Sequence, residues 1–258
     1  MLEQDYNKIE IICVNDGSAD NTLEILNEYF PYVRILSHPG NINLGQAASL
    51  NLGISSTEAD LIAFLDADDI WYPDKIKKQV EVFENHPAIG LVYTNGFAID
   101  EIGEKLYQLI SNGFREENIP GRILLDNYIR SPSSTMVRKN VFEKTGLFKV
   151  GLQSMDHDMW IKIGEKSKFY YLAECLMGYR IHIGQQSLKR RQWEDGFNIL
   201  REASERYPYQ FSVKRKRLAV LYYRLAENDW REGRYLRSLW NYMMAGIHDP
   251  KRAIRTFN

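Results

Sequence analysis

Cysteine is nearly absent: Cys13 and Cys175 are the two in 258 residues. Two thiols build neither a disulfide framework nor a zinc cluster, and Cys13 sits in an apolar run where a packed thiol is the default. Long hydrophobic stretches are missing as well. No run reaches the ~18 apolar residues of a membrane span. No signal peptide precedes the first strand, so a cytoplasmic location is expected, with the inner face of the membrane as a contact surface. There is no low-complexity linker, and no nucleic-acid partner is expected.

What the chain does hold is 44% hydrophobic residues, enough to bury one large or two small cores. Its net charge of -1 hides an uneven spread. Residues 1–184 carry 17 Lys and Arg against 26 Asp and Glu; residues 185–258 carry 16 against 8. An acidic body and a basic tail suggest different surfaces for different partners.

The stretch from Leu61 to Trp71 organises the rest. Leu61-Ile-Ala-Phe-Leu65 reads as a strand buried on both faces. It stops at three carboxylates, Asp66, Asp68 and Asp69. Carboxylates are rarely buried without partners. In open parallel sheets ligands sit beyond the carboxyl ends of strands, and an Asp-x-Asp turn there suits a hard divalent cation that holds phosphate oxygens. The plainer reading is a solvated acidic turn before a helix.

Strands at 9–14, 33–37, 61–65 and 89–93 alternate with helices at 21–29, 46–55 and 73–85, which predicts an α/β domain with a mixed, mostly parallel sheet flanked by helices. Residues 98–120 read as loop with hairpin potential, and 122–128 as helix. A strand at 135–138, a short helix at 140–144 and strands at 169–173 and 177–183 complete the body. Residues 155–163 have helical spacing, which puts Asp156 and His157 near a helix start. From Gln185 onward the pattern is helical. Leu218, Leu221, Tyr222 and Leu225 form one stripe; Leu236, Leu239, Trp240 and Met243 form another, beyond Gly233. The pair resembles a single tetratricopeptide-type unit, hence a helical extension rather than an array. Lys214-Arg-Lys-Arg217 reads as a solvated helix face that can also meet anionic lipid.

Five segments in order carry a resemblance: Ile11-Ile-Cys-Val-Asn-Asp-Gly-Ser18; Asn43-Leu-Gly-Gln-Ala-Ala-Ser-Leu-Asn-Leu-Gly53; Phe64-Leu-Asp-Ala-Asp-Asp-Ile-Trp-Tyr-Pro-Asp74; Met155-Asp-His-Asp-Met-Trp160; and Tyr179-Arg-Ile-His182 with Ser187. Together they resemble a family 2 glycosyltransferase, an inverting enzyme of the GT-A fold. The resemblance covers 1–187 and leaves 188–258 as a basic helical extension. The chain departs from the pattern at Asn15, Leu50 and Met155, where the family often has Asp, Arg and Glu. It also opens one strand and most of a helix later than family members do. That strand would lie between the Ile9 and Leu61 strands.

The resemblance implies a nucleotide diphosphate sugar donor, most often uridine-linked, and a carbohydrate or lipid-linked acceptor hydroxyl. It implies Asp16, Gly17, Ser18, Asn43, Gly45 and Asp66 around the nucleotide. It places Mg2+ or Mn2+ on Asp68, with Asp66 and His182 nearby, makes Asp156 the general base, and leaves Trp71, Asp158, Trp160 and Arg180 as acceptor or supporting residues. Each has a simpler role beside it. Asp16 and Asp156 can cap a turn and a helix. His182 can be an ordinary histidine. Asp158 can pair with Arg180, and the tryptophans can be core. Two rivals stand. One is a phosphatase using an aspartyl-phosphate, whose further Lys and acidic pair have no clear match. The other is an inactive, N-terminally shortened remnant that only binds nucleotide or a partner.

Overall fold

The computed structural model describes residues 1–182 and 190–250; Ser187 and the 187/188 boundary lie outside the described residues. The elements run β1 (Ile11–Asn15), α1 (Thr22–Glu28), β2 (Val33–Ser37), α2 (Gln46–Ser55), β3 (Leu61–Ala63), β4 (Ile70–Trp71), α3 (Lys75–Asn85), β5 (Ile89–Ile99) and β6 (Lys105–Gln108). They continue with α4 (Pro120–Leu125), β7 (Thr135–Arg138), α5 (Lys139–Thr145), α6 (Met155–Lys166), β8 (Lys168–Arg180), α7 (Arg191–Arg206), α8 (Phe211–Arg231) and α9 (Tyr235–His248). Packing divides them into two units. One contains Met1–Glu116, Ile129–Gly151 and residues 166–182; the other contains Glu117–Tyr128, Leu152–Glu165 and residues 190–250.

In the first unit β1 and β2 pair in parallel, and a six-stranded sheet runs β3-β7-β5-β8-β4 with β6 on β5. The sheet is mixed, as expected, but less parallel than expected. β5 and β8 run parallel, while β3–β7, β4–β8, β5–β6 and β5–β7 are antiparallel. The reason lies in the connections. Parallel neighbours need crossovers of about a dozen residues or more, and β5 is joined to its neighbour β6 by a short turn. β5 runs past Tyr93 because buried Asn95 satisfies the backbone where the register shifts. Its Nδ2 donates to Ile110 O, and its Oδ1 accepts from the Ile110 amide. The same irregularity lets 169–173 and 177–180 join as one strand, β8, whose pairing steps from Leu172 to Cys175. α3 packs Ile76, Val80 and Phe83 with Val92 of β5 and Met136 of β7 into the core. Among the described residues, β1 and β3 each keep one edge unpaired.

The second unit is helical. α7 approaches α8 so closely that a Cβ on Gly196 would lie 2.4 Å from Leu221 Cδ2. Arg206 Nε pairs with Glu165 Oε2 at 2.5 Å, and Tyr209 Oη donates to Glu165 Oε1 at 2.8 Å. The basic run at the start of α8 is not one solvated face. Arg217 is buried and donates to Leu125 O and His157 Nδ1. α9 meets α8 through Ser238 and Asn241, which donate to Ala226 O and Asp229 Oδ2. Its apolar stripe is exposed. Among the described residues, no helix is long and apolar enough to cross a membrane.

Candidate active site

Most of the predicted nucleotide residues converge on one carboxylate. β1 ends at Asn15, which is buried; its Nδ2 donates to Asn41 Oδ1 at 2.8 Å, and its Oδ1 accepts from the Ser18 amide. An aspartate could not make the first of these bonds, so the departure at this position matches its partner. Asp16 then reaches the loop before α2. Its Oδ1 accepts from the Leu44 amide at 2.8 Å and its Oδ2 from the Gly45 amide at 2.9 Å. Asn43 Nδ2 donates to Asp16 O. A carboxylate at the first turn of α2 is also favoured by the helix dipole. Gly17 sits against this loop with φ +75, and a Cβ there would lie 2.8 Å from Asn43 N and 2.9 Å from Asn41 O. Asp16, Gly17, Ser18, Asn43 and Gly45 therefore form one stapled double loop. Asp16 is first of all the staple.

Beyond β3 the three carboxylates separate by environment. Asp69 is buried. Its Oδ1 accepts from the Arg180 amide and its Oδ2 from Ser131 Oγ, both at 3.0 Å. Burial pushes its carboxyl up, against the bonds from Ser133, Arg180 and Ser131. Asp66 faces α2: Gln46 Nε2 donates to its Oδ1 at 2.7 Å, and its amide donates to Ser133 Oγ. Asp68 is left open to solvent, and His182 Nε2 lies 3.2 Å from its Oδ2. Arg180 fastens this end of β8 through Asp68 O, Asp100 O and Glu101 O. Trp71 props the opposing turn: its Nε1 donates to Ser133 O, and Lys75 Nζ lies 4.2 Å from its ring centroid.

A hard divalent cation is usually held by one or two protein carboxylates plus substrate phosphates and water, not by an all-protein cage. Among the described residues no three His, Cys, Asp or Glu side chains stand close enough to hold an ion alone. Asp68 and His182 fit that partial donor set. Asp66 is turned to Gln46 instead.

In the second unit, Asp156 opens α6. Asn127 Nδ2 donates to its Oδ2 at 3.1 Å. Loss of solvent around it raises its carboxyl from the ordinary aspartate value, against bonds from the His157 amide and Asn127. His157 behind it is buried between Ile123 O, 2.7 Å from Nε2, and Arg217. Asp158 takes Lys162 of its own helix as its ion pair, at 2.5 Å, in place of the expected Arg180. Trp160 is fully buried and therefore core to this unit.

Gln46, Ser131, Asn127 and Asp69 belong to these arrangements without having been read as site residues. Each is a short polar side chain whose role is set by a partner distant in sequence, which no local pattern displays. Asp69 alone carried a clue, as the last carboxylate before an apolar pair.

The glycosyl transferase family 2 profile matches residues 1–146. The chain belongs to glycosyl transferase family 2. Its fold is of the GT-A type. An uncharacterized glycosyltransferase of Rickettsia conorii is 31% identical over 206 residues, 77% of this chain and 33% of that protein. Across four Rickettsia relatives the match spans 33% to 58% of the relative's length. Two solved structures share the fold. Staphylococcus aureus TarS 1-349 in complex with UDP has a TM-score of 0.60 and 17% identity, over 97% of this chain and 75% of that one. A Pyrobaculum calidifontis mannosyltransferase in complex with GDP-Man and Mn2+ has a TM-score of 0.61 and 16% identity, over 99% and 72%.

Proposed function

We propose that this chain transfers a sugar from a nucleotide diphosphate sugar, uridine-linked in the first instance, to a carbohydrate or lipid-linked hydroxyl, with inversion. The observation that carries the reading is the Asp68–His182 pair, the open member of an otherwise engaged acidic turn. The turn is tied through Gln46 to the loop that Asp16 staples. UDP in one fold neighbour and GDP-Man with Mn2+ in another support a nucleotide-sugar ligand and a metal.

In this reading Asp68 and His182 hold Mg2+ or Mn2+, which supplies charge neutralisation for the departing diphosphate. The Asp16 loop positions the nucleotide through backbone groups and remaining lone pairs. Asp156 takes the proton of the acceptor hydroxyl. A carboxyl with a raised pKa is a stronger base than an ordinary aspartate, and Asn127 holds one of its oxygens.

The test is calorimetry of UDP and of GDP, with and without manganese, on this chain and on Asp68→Ala. Metal-dependent binding that the substitution abolishes supports the site, and the preferred nucleotide names the donor class. Metal-independent binding that survives in Asp68→Ala rejects the metal assignment. Nucleotide binding without sugar transfer across donors favours a module that only binds nucleotide.

A further inference from the structure

α9 is built inside out. Leu236, Leu239, Trp240, Met243 and Ile247 follow one another at helical spacing and line one face. That face is the exposed one: Leu236 is 86% exposed, Leu239 57%, Trp240 59%, Met243 47% and Ile247 57%. The side turned to α8 carries Ser238, Asn241 and Ala245 instead. Ser238 Oγ donates to Ala226 O, and Asn241 Nδ2 donates to Asp229 Oδ2. Scattered exposed apolar residues are ordinary, but a contiguous stripe over three turns marks an interaction site.

The rim identifies the occupant. Trp230 and Tyr235 stand edge to face, ring centroids 5.0 Å apart, and both are more than half exposed. Trp240 is a third exposed amphipathic ring on this part of the chain, and such rings favour the boundary between hydrocarbon and water. Arg231 and Arg237 are exposed beside them, and Lys216 is exposed on α8. The acids near the ends of α9 are Glu232, which pairs with Arg234, and Asp249. Arg234 also pairs with Asp229, so its charge is already met. A helix with aromatic, leucine and methionine side chains on one face and arginines at its edge suits the headgroup layer of an anionic membrane. Two copies joined face to face would bring arginine rims together.

We infer that the α9 face docks the protein on an anionic lipid surface, with Trp240, Leu236 and Leu239 entering the headgroup layer and Arg231 and Arg237 meeting lipid phosphates. The inference does not rest on the donor reading, because its test uses lipid alone.

The experiment is flotation of the full chain with phosphatidylcholine vesicles and with vesicles in which a third of the lipid is phosphatidylglycerol. The unmodified protein should float with the anionic vesicles and far less with the neutral ones. Leu236→Glu combined with Trp240→Glu should reduce binding at least tenfold. These side chains face solvent, and an unchanged circular dichroism spectrum checks the fold. Arg231→Gln and Arg237→Gln should each weaken binding about fivefold and flatten its salt dependence. No binding to anionic vesicles by the unmodified protein overturns the inference, as does equal binding by the double variant. A dimer in sedimentation velocity that the double variant abolishes, without vesicle binding, overturns it in favour of a second copy.

Discussion

His182 Nε2 lies 3.2 Å from Asp68 Oδ2, though 114 residues separate them. β8 creates the meeting: it pairs antiparallel with β4 through Gly178 and Ile70, and the carbonyl bonds of Arg180 hold its end against the acidic turn. If the pair holds a cation, the two side chains act as one unit. His182→Ala should weaken metal-dependent nucleotide binding by about 10- to 100-fold, the range found when groups around a metal are lost. In Asp68→Ala the further loss from His182→Ala should be much smaller. Calorimetric titration of the four proteins checks this. Additive losses would show two independent contacts.

Asp156→Asn separates chemistry from packing. The amide keeps an oxygen for Asn127 in the first turn of α6, but it cannot take a proton. Turnover should fall by about 10²- to 10⁴-fold, with nucleotide affinity unchanged. The Asp156 carboxyl is raised on folding, so the folded protein binds the extra proton. That contribution to stability is present at low pH and lost as pH rises through the raised value. At neutral pH the Asn variant should therefore melt no lower than the parent. Turnover of the unmodified protein should fall as pH drops through the same raised value, on an acid limb displaced upward from that of an ordinary aspartate. A variant with normal turnover leaves Asp156 as an acid of the first turn of α6.

Gly17→Ala tests the stapled loop. The substitution meets two costs at once: a left-handed backbone and a Cβ within 3 Å of the Asn43 amide and Asn41 carbonyl. A left-handed conformation alone costs roughly 1–2 kcal/mol, and the contact adds to it because backbone atoms cannot swing aside. A melting curve should show the loss, and UDP affinity should fall with it. Gly45→Ala is a useful contrast, since φ is also positive there but nothing lies within 4 Å of the added carbon. It should cost less.

These residues also show what the sequence could and could not disclose. The strand–helix alternation of the first 99 residues was readable because apolar period and turn residues are local signals. The balance of parallel and antiparallel pairing was not, because it depends on which distant strands meet. β7 lies antiparallel between β3 and β5, and nothing in Thr135–Arg138 says so. Asp16, Gly17, Asn43 and Gly45 were legible as a group, yet not that Asp16 spends its oxygens on Leu44 and Gly45. The stripe on α9 was legible as a stripe. Its direction was not, because helical spacing tells which residues share a face and not whether that face is covered.

His157 offers the sharpest dependence on pH. The imidazole is buried, with Ile123 O on one nitrogen and the Arg217 guanidinium on the other. Nε2 therefore donates and Nδ1 accepts, an arrangement open only to the neutral ring. Burial first, and the Arg217 charge second, push its pKa from 6.5 down to about 3. The unfolded chain takes up this proton more readily than the folded one. The stabilisation is thus fully present above pH 6.5 and lost as pH falls towards 3. Across that window His157 should make stability fall by about 1.4 kcal/mol per pH unit. Urea unfolding at pH 7, 6 and 5 measures the slope. His157→Gln should cost stability at pH 7 but remove this share of the slope, since glutamine does not titrate. Arg217→Met should narrow the window from its acid end without abolishing the slope, because burial still holds the pKa below 6.5 when the cation is gone. An unaltered slope in His157→Gln would place the acid sensitivity elsewhere. A slope abolished in Arg217→Met would make the cation, not burial, its main cause.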